Sequence, residues 1–491
     1  MKKIFLANFP CFSTCMMRPG PLSLIWLFLA ISNSLFSQDK FKRGLDFDDE
    51  SYLATPRKAK LTRGLDSVPA AASIKQYAPF PGNQGDHGTC TAWASSYCGR
   101  TIVEAIKNGW TDRTMITEKA FSPAFLFRML KPTDGECHGG TTIGSAFATL
   151  KNTGTILYSD LSSLCTPAIT PTQLEKATQY KIKDFMRLFD MEASSETKIN
   201  SVKKAIAEKK PEVIGMTCPD SFSYTGEVWN PTEQPAPGMG GHAMCVVGYD
   251  DSKYGGAFEI QNSWGLSWAN QGNVWIRYQV FAKFTRYAHE FIDLPEPKPE
   301  VPDLSGQLRF VLADGQEMPA NLLVSTRGLT VVPAKTAPGP LTLYRMAQAY
   351  TSGTQFRMYI SNNQPAFVYA ISSDLSNEVS KIFPYEEGVS AALTDKKNDV
   401  ALPDEDHFIE FDNKPGKDFL CVLYSRDELN LNDLVQKIGS LQGTFSDRIF
   451  KVVGSKMVEP KNISFSKDKL AFEGFSKGKS VVAMMVELEH R

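Results

Sequence analysis

Apolar residues recur at helical spacing in the segment that follows position 90. Trp93, Tyr97, Ile102 and Ile106 stand four or five residues apart, and Gly109 follows them as a helix-ending residue. Similar spacing predicts further helices at residues 122–130, 143–154 and 199–210. The first half of this region of the chain is therefore predicted to be mainly helical.

Strand patterns dominate from residue 213 onward. Short runs rich in β-branched and aromatic residues, separated by turn residues, occur at 213–216, 243–250, 257–264 and 273–281. Helices first and strands later predict an α+β domain with two segregated halves.

A proline-rich stretch divides the chain near its middle. Residues 294–303, LPEPKPEVPD, carry four prolines and three acids, which predicts a stiff linker without a core. Beyond it, short apolar or alternating runs predict a mostly-β, sandwich-like domain with one helix near 431–441. Few core contacts are expected to cross such a boundary.

The N-terminus has the pattern of a secretory signal. Three basic residues and no acids precede Asp39, and an apolar run at 22–30 is followed by small polar residues. We expect cleavage near Ser37 and an exported protein, in the periplasm, at the cell surface or secreted. A membrane anchor is the alternative, but a span needs about 20 apolar residues. The expected organisation is a signal peptide at 1–37, a short N-terminal extension at 38–67, an α+β domain at 68–293, the linker at 294–303 and the mostly-β domain at 304–491.

The charge and cysteine content of the chain bear on which partners, disulfides and metal sites are expected. The 53 Lys and Arg nearly balance the 54 Asp and Glu and form no basic stripe, so we expect no nucleic-acid partner. Seven cysteines follow the signal peptide, an odd number that leaves at least one free thiol without a partner chain. No CxxC pair occurs, and we expect neither a metal nor a cofactor.

Cys90 is the candidate nucleophile. It stands where the loop GNQGDHG turns into a predicted helix, and the free amides of a helix N-terminus favour a thiolate. The alternative is a buried structural cysteine. Cys98, a little over two turns along the same helix, is expected to be a small buried hydrophobe.

A nucleophilic thiol needs a base, and His242 is the first candidate among six histidines. It follows two glycines and precedes an apolar strand. Asn262 ends the next predicted strand, so antiparallel pairing brings the two side chains together. Trp264 is expected to cover their hydrogen bond. His87 is the rival base, but it lies on the nucleophile's own loop.

These segments together resemble the papain-like cysteine peptidases. QGDHGTCTAWA resembles the family's nucleophile segment, with Gln84 six residues before Cys90; GGHAMCVVGYD resembles its histidine segment and NSWGLSW its asparagine segment. CHGG, at 137–140, resembles the two-glycine stretch on the substrate-binding wall. The resemblance spans about 68–294 and implies a two-lobed fold with a helical left lobe and a β-barrel-like right lobe.

The resemblance also implies the roles of the site residues. Cys90 would attack the peptide carbonyl, His242 would share a thiolate–imidazolium pair with it, and Asn262 would orient the imidazole. Gln84 and the Cys90 amide would stabilise the oxyanion. The expected substrate-binding residues are Gly139, Gly140, Gly215, Gly241, Ala243 and Trp264.

The chain departs from the family pattern in two places. His87 stands where the family usually has a cysteine, so Cys137 loses its usual partner and is expected to bond Cys165 instead. The long inhibitory propeptide is also missing, because only about 30 residues separate the signal peptide from the α+β domain. We expect this short extension to cross part of the cleft without forming an inhibitor domain.

The C-terminal region resembles a bacterial domain of unknown function that is fused to proteases and kinases. We expect it to recruit a protein partner. The resulting interpretation is an exported papain-like cysteine endopeptidase that acts on peptide or protein substrates through a thioester. The alternatives are a catalytically silent peptide-binding relative and a transamidase or peptidoglycan-peptide hydrolase with the same chemistry.

Overall fold

The computed structural model describes residues 41–59, 68–163, 165, 168–294, 297–323, 340–374, 376, 378–395, 398–405 and 407–491. The expected signal peptide lies outside these residues, as do residues 60–67 of the short extension and residues 295 and 296 of the linker. Within the described part of the chain, no helix has the length and apolar character needed to cross a membrane.

Helices dominate the described chain as far as residue 207. The longest, α2, begins at Cys90 and runs on as three consecutive parts, of which the middle one has the wider π-helical turn. The helices before residue 294 are α1 Asp49–Ala54, α2 (Cys90–Ala92, Trp93–Arg100 and Thr101–Asn108), α3 Arg113–Glu118, α4 Pro123–Leu130, α5 Ile143–Asn152, α6 Pro171–Ala177, α7 Ser195–Ala207 and α8 Tyr278–Phe284. Short 3-10 turns lie at Lys75–Tyr77, Thr178–Tyr180, Asp220–Tyr224 and Lys253–Gly255.

The helix ends follow the local sequence signals. Ser122 accepts a hydrogen bond from the Phe125 amide, with Pro123 as the first residue of α4. Gly109 ends α2 in the left-handed conformation, with φ of 68°. The run at 273–281, predicted to be a strand, divides instead into a strand at Asn273–Arg277 and helix α8. A short apolar run fits both periods, and Phe281 faces the core from the helix.

The strands before residue 294 form one eight-stranded sheet, most of it built from residues after 211. Its strands are β1 Ala71–Ser73, β2 Asp184–Arg187, β3 Glu212–Thr217, β4 Val228–Trp229, β5 Gly241–Asp250, β6 Ala257–Gln261, β7 Asn273–Arg277 and β8 Thr285–Ile292. The strand order is β2-β8-β3-β5-β6-β7-β4, with β1 paired to β5, and only β4 and β7 pair in parallel. The described chain is thus an α+β fold, as predicted.

The C-terminal region consists mainly of strands in two sheets. They are β9 Leu304–Leu312, β10 Ala320–Leu323, β11 Leu343–Met346, β12 Gln355–Asn362, β13 Ala366–Ser373, β14 Val379–Phe383, β15 Ala392–Leu393, β16 Asn398–Leu402, β17 Ile409–Glu410, β18 Gly416–Ser425, β19 Ile463–Phe465, β20 Ala471–Gly474 and β21 Val481–His490. One sheet has the order β10-β11-β21-β18-β13-β14, with β15 paired to β13. The other has the order β16-β12-β9-β20-β19, with β17 paired to β12.

The two sheets pack face to face around one apolar core. Phe310 and Ile360 from one sheet lie in the same buried cluster as Val422 and Met484 from the other. The outer face of the seven-stranded sheet is covered by two helices, α9 Leu431–Ser440 and α10 Phe445–Val453, which are followed by 3-10 turns at Gly454–Lys456 and Pro460–Asn462. The sequence predicted α9 and missed α10, although Thr444 caps it.

Residues 42–491 form one compact unit. Met186, Ile292 and Leu294, from the first half, are buried in the cluster that covers the outer face of the C-terminal sheet. Ion pairs also cross the boundary, with Lys183 Nζ lying 2.7 Å from Asp427 Oδ1. More contacts cross the boundary between the two halves than the proline-rich linker led us to expect, because the residues that make them lie outside the linker.

Candidate active site

Cys90 is the first residue of α2 and is fully buried. The loop before it is held against the neighbouring wall, since the Gly88 amide donates a hydrogen bond of 2.8 Å to the Cys137 carbonyl. The Gly44 amide, from the N-terminal extension, donates to Cys90 Sγ at 3.2 Å. The thiol therefore lies at a helix start and already faces a backbone amide.

His242 and Asn262 are brought together by adjacent antiparallel strands. His242 is the second residue of β5, and Asn262 directly follows β6. The imidazole Nε2 lies 2.7 Å from Asn262 Oδ1, and Trp264 stacks on the ring at a centroid distance of 4.5 Å. The buried Nδ1 has no hydrogen-bond partner among the described residues. This nitrogen is the one left to exchange a proton with a thiol.

Burial shifts both titratable groups toward their neutral forms. It raises the pKa of the Cys90 thiol, although backbone hydrogen bonds from Ala243 and Gly44 oppose the rise. It lowers the pKa of His242 to about 3, against the opposing hydrogen bond with Asn262. In this closed arrangement the neutral pair is favoured over the thiolate–imidazolium pair that the family resemblance implies.

The side chain of Gln84 is fully committed in this arrangement. Its Nε2 donates to the His87 carbonyl at 2.7 Å and to the Lys42 carbonyl at 3.1 Å. Its Oε1 accepts a 2.7 Å hydrogen bond from Ser263 Oγ. Sequence reasoning missed Ser263, although it stands next to Asn262 in the asparagine motif.

Residues 42–47, here called the cleft segment, run as an extended chain between the two walls of the site. The Leu45 amide donates to the Gly241 carbonyl at 3.3 Å. The Asp46 amide donates to the Thr141 carbonyl at 3.1 Å, and the Thr141 amide donates to the Gly44 carbonyl at 2.9 Å. The short extension therefore crosses the cleft, with backbone bonds to both sides.

The Leu45 side chain fills an apolar pocket beside Cys90. A Cβ on Gly215 would lie 2.9 Å from Leu45 Cδ2, so the lack of a side chain at Gly215 leaves room for the leucine. Ile143 and Ala243 belong to the same buried cluster. Gly215 and Ala243, both expected from the sequence to bind substrate, thus border a leucine side chain.

The glycines expected on the substrate wall have different surroundings. A Cβ on Gly140 would lie 2.2 Å from Asp46 Oδ1, and one on Gly241 would lie 2.5 Å from the Leu45 carbonyl oxygen. Both therefore border the cleft segment directly. Gly139 instead donates its amide to Asp134 Oδ2 at 2.7 Å. The backbone hydrogen bonds on this wall are made by Thr141, which sequence reasoning did not single out.

A disulfide joins Cys137 to Cys165, whose Cα atoms are 5.8 Å apart. His87 faces this wall, with Nδ1 3.2 Å from the Glu136 carbonyl oxygen and 3.7 Å from Cys165 Sγ. Cys98 is buried. Among the described residues, no group of three or more His, Cys, Asp and Glu side chains could hold a metal ion.

Two family models match the chain. Residues 83–288 match the papain family cysteine protease model, and residues 349–428 match a domain of unknown function, DUF4384. No curated protein in the comparison matches the sequence.

Several solved structures are similar over about half of the chain. Xylellain, a cysteine protease from Xylella fastidiosa, is 19% identical over 53% of this chain and 99% of its own, with a TM-score of 0.42. Digestive procathepsin L 3 of Tenebrio molitor is 16% identical over 56% and 94%, with a TM-score of 0.39. Bromelain from Ananas comosus, in complex with the E64 inhibitor, is 16% identical over 46% and 100%, with a TM-score of 0.38.

Proposed function

We propose that this chain is an exported endopeptidase that acts through a thioester on Cys90. The starting point is that residues 83–288 form a papain-family cysteine protease domain and that the chain is a cysteine-type peptidase. One observation carries this proposal. An extended stretch of backbone lies across the thiol, hydrogen-bonded to Gly241 and Thr141, in the way that a peptide substrate would lie. The substrate class is therefore peptide or protein.

The first step forms the thioester. The Cys90 thiol transfers its proton to Nδ1 of His242, and the sulfur attacks the substrate carbonyl carbon. Negative charge develops on the carbonyl oxygen, where the Cys90 backbone amide and Nε2 of Gln84 can donate to it. The imidazolium then protonates the leaving amine as the C–N bond breaks. Asn262 keeps the ring oriented by accepting from Nε2 throughout.

The second step releases the acid product. His242 removes a proton from water, the hydroxide attacks the thioester carbonyl, and the sulfur leaves and regains the proton. Burial of the imidazole under Trp264 shields its hydrogen bond with Asn262 from solvent. The same acyl-enzyme could pass to an amine instead of water, so the acceptor must be measured.

An endopeptidase is favoured because chain lies on both sides of the thiol. On one side of Gly44, the Arg43 guanidinium donates to the Cys218 carbonyl at 2.6 Å and to the Pro219 carbonyl at 3.0 Å. On the other side, the Phe47 ring meets Tyr287 edge-on at 5.2 Å. A cleft that holds residues in both directions suits cleavage within a chain.

The cleft segment makes this arrangement a latent form. It occupies the apolar pocket with Leu45, and its Lys42 carbonyl takes hydrogen bonds from Gln84 Nε2 at 3.1 Å and Trp264 Nε1 at 3.3 Å. The donor needed for the oxyanion is thus engaged by the protein itself. Activity requires that residues 42–47 leave the cleft, after which water reaches the thiol and imidazole and favours their ion pair.

Export is supported by the disulfide between Cys137 and Cys165, because such bonds persist in oxidising compartments. The signal-like N-terminus points in the same direction. N-terminal sequencing of the exported protein tests the expected cleavage near Ser37.

An epoxysuccinyl peptide such as E64, the inhibitor bound in the bromelain structure, tests the chemistry. Labelling is expected at Cys90 of the wild type, found by peptide mass mapping, and absent in Cys90→Ala. Hydrolysis in ¹⁸O-labelled water should place the isotope in the new carboxylate. Transfer of the acyl group to an added amine without isotope uptake would favour a transamidase.

A further inference from the structure

Residues 56–59, here called the junction segment, lie between the two halves of the molecule, where Arg57 forms isolated β-bridges with Arg187 and Val389. On one edge, the Lys58 amide donates to the Arg187 carbonyl at 2.8 Å, which ties the segment to β2. On the other edge, the Ser390 amide donates to the Arg57 carbonyl at 2.7 Å, which ties it to the C-terminal domain. The backbone of the N-terminal extension therefore bridges both domains.

The Lys58 side chain strengthens this bridge with two buried ion pairs. Its Nζ lies 2.8 Å from Glu290 Oε2 of β8 and 3.0 Å from Asp395 Oδ1 of the C-terminal domain. Lys210 also pairs with Asp395, and its Nζ donates to Thr394 Oγ1 at 2.8 Å. Breaking one partner of a buried pair leaves a charge uncompensated, so this contact is costly to open.

The next residue, Ala59, is 4% exposed and belongs to the apolar core between the two C-terminal sheets. The junction segment is thus held by the C-terminal domain through two main-chain hydrogen bonds of Arg57, the ion pairs of Arg57 with Glu386 and of Lys58 with Asp395, and an apolar contact of Ala59. None of these contacts involves the active site.

A short helix connects the junction segment to the cleft segment. Helix α1, residues Asp49–Ala54, begins at the Asp48 cap and lies against the peptidase domain. Its Tyr52 stacks on Tyr287 at 4.3 Å and donates to the Phe189 carbonyl at 2.7 Å. Because the connector is a helix of six residues, we expect displacement of one end to be transmitted to the other.

We propose that the C-terminal domain acts as a clamp that keeps the cleft segment over Cys90, through the contact of Lys58 with Asp395. This inference rests on the proposed function, in which the cleft segment blocks the site. It assigns a regulatory role to the C-terminal domain: a ligand or partner that separates Asp395 from Lys58 releases the extension and opens the cleft.

The test uses the full chain and measures two independent quantities. Hydrogen–deuterium exchange of the peptide spanning 42–47 reports opening, and the rate of E64 labelling at Cys90 reports access. Lys58→Met keeps the apolar stem and removes the charge; we expect both rates to rise at least about tenfold. Lys151→Met is the matched control. Its Nζ lies 2.8 Å from Asp184 Oδ1 and, across the same domain boundary, 3.1 Å from Glu428 Oε2, and neither partner belongs to the extension. Both of its rates should stay within about twofold of the wild type.

A second variant tests the contact from the other side. Asp395→Asn should raise both rates, and the double variant should exceed the larger single effect by no more than about twofold, because the contact between Lys58 and Asp395 is already lost in each single variant. This variant also carries the test if Lys58→Met does not fold. Fully additive gains, or equal rates in Lys58→Met and Lys151→Met, would overturn the clamp.

Leu45→Ala separates this proposal from the proposed function, since it loosens the cleft segment directly. Faster exchange and labelling in Leu45→Ala, with no change in Lys58→Met, would refute the clamp and leave the peptidase assignment standing. Faster exchange in Lys58→Met without labelling of Cys90 in any variant would support the clamp and refute the peptidase chemistry.

Discussion

Two buried polar clusters lie at opposite ends of the N-terminal extension, and burial has different consequences for their charges. At the cleft end, burial raises the pKa of Cys90 and lowers that of His242 to about 3, so neutral forms are favoured. At the junction end, burial alone would lower the pKa of Lys58, but Asp395 and Glu290 raise it well above its ordinary value. The cleft cluster holds Cys90 and His242, which must become charged for the proposed reaction. The junction cluster holds charges on Lys58, Asp395 and Glu290 that are already paired.

This difference predicts two kinds of mutational effect. Substitutions in the cleft should reduce the rate of reaction and have little effect on folding, because the chemistry needs a proton acceptor and a nucleophile. Substitutions at the junction should lower stability and preserve the chemistry, because an unpaired buried charge is costly. Variants that mix the two effects would blur the comparison.

The largest effect is expected from Cys90→Ala, which should abolish peptide hydrolysis. In the proposed mechanism the thiol forms the covalent intermediate, and alanine cannot replace it. The midpoint of urea unfolding should change little, since the side chain loses only one small atom. Progress curves with a fluorogenic peptide, together with unfolding curves, check both parts.

Cys98→Ala is the control in the same helix. Cys98 is buried like Cys90 but lies in the Trp93–Arg100 part of α2, so its loss should leave hydrolysis intact. Equal loss of activity in the two variants would mean that the rate reports packing of α2 and not nucleophilic attack.

The next largest effect is expected from Lys210→Met, at the junction. Removal of the Lys210 ammonium leaves the two buried carboxylates, Asp395 and Glu290, to share the ammonium of Lys58. The free energy of unfolding should therefore fall by ~3–5 kcal/mol. The single-turnover rate of the folded fraction should be preserved. Urea unfolding and burst kinetics measure these quantities.

Lys437→Met is the matched surface control. Its Nζ lies 2.8 Å from Asp433, but its side chain is 61% exposed, and such pairs contribute at most about 1 kcal/mol. If both lysine variants lost the same small amount of stability, the junction cluster would be no stronger than an exposed ion pair.

The cleft end of this comparison could be predicted from the sequence, and the junction end could not. Gln84, Cys90, His242 and Asn262 stand in local motifs whose spacing reflects a helix start and two adjacent strands. Lys58 and Asp395, by contrast, are 337 residues apart, in segments that read as ordinary charged loops. Pairings of this kind depend on the tertiary fold alone.

The fold shows the same division between local and long-range information. The apolar runs at 419–425 and 481–488 predict strands, and their lack of alternation is typical of strands buried on both faces. These runs lie in β18 and β21, two neighbouring strands inside the seven-stranded sheet. What covers the outer face could not be predicted, since it includes Met186 and Ile292 from the peptidase region.

Gln84→Ala tests the oxyanion role at the cleft end. Loss of the side-chain donor should lower kcat by roughly 10²–10³, with little change in KM, because the hydrogen bond strengthens only as charge develops. Ser263→Ala should have a smaller effect in the same direction, since Ser263 Oγ holds the amide by a 2.7 Å hydrogen bond to Oε1. A changed KM with an unchanged kcat in Gln84→Ala would assign the residue to substrate binding.

The smallest expected effect is a dependence of cleft opening on pH. The closed form holds His242 at a pKa of about 3, whereas an imidazole exposed to water titrates near ~6.5. In Cys90→Ala, which cannot form the ion pair, the open form binds the additional proton between these values, so each unit of acidification favours opening by roughly tenfold, and above them the effect vanishes. Asn262 and Trp264 contact the imidazole directly. Arg43, which pairs with Asp220, is the nearby charge, and the Cys90 thiol takes a backbone hydrogen bond from Ala243, the residue next to His242.

In a Cys90→Ala background, exchange protection of the peptide spanning 42–47, corrected for intrinsic rates, should therefore fall by up to about thirtyfold between pH 7 and pH 5. His242→Gln removes the titrating group and should make the protection nearly independent of pH. His289 is the rival source, because burial lowers its pKa to about 3 as well and its ring meets Tyr52 of α1 at 5.2 Å. It is retained in His242→Gln. A pH dependence that persists undiminished in that variant would move the sensor from His242 to His289, beneath the connecting helix.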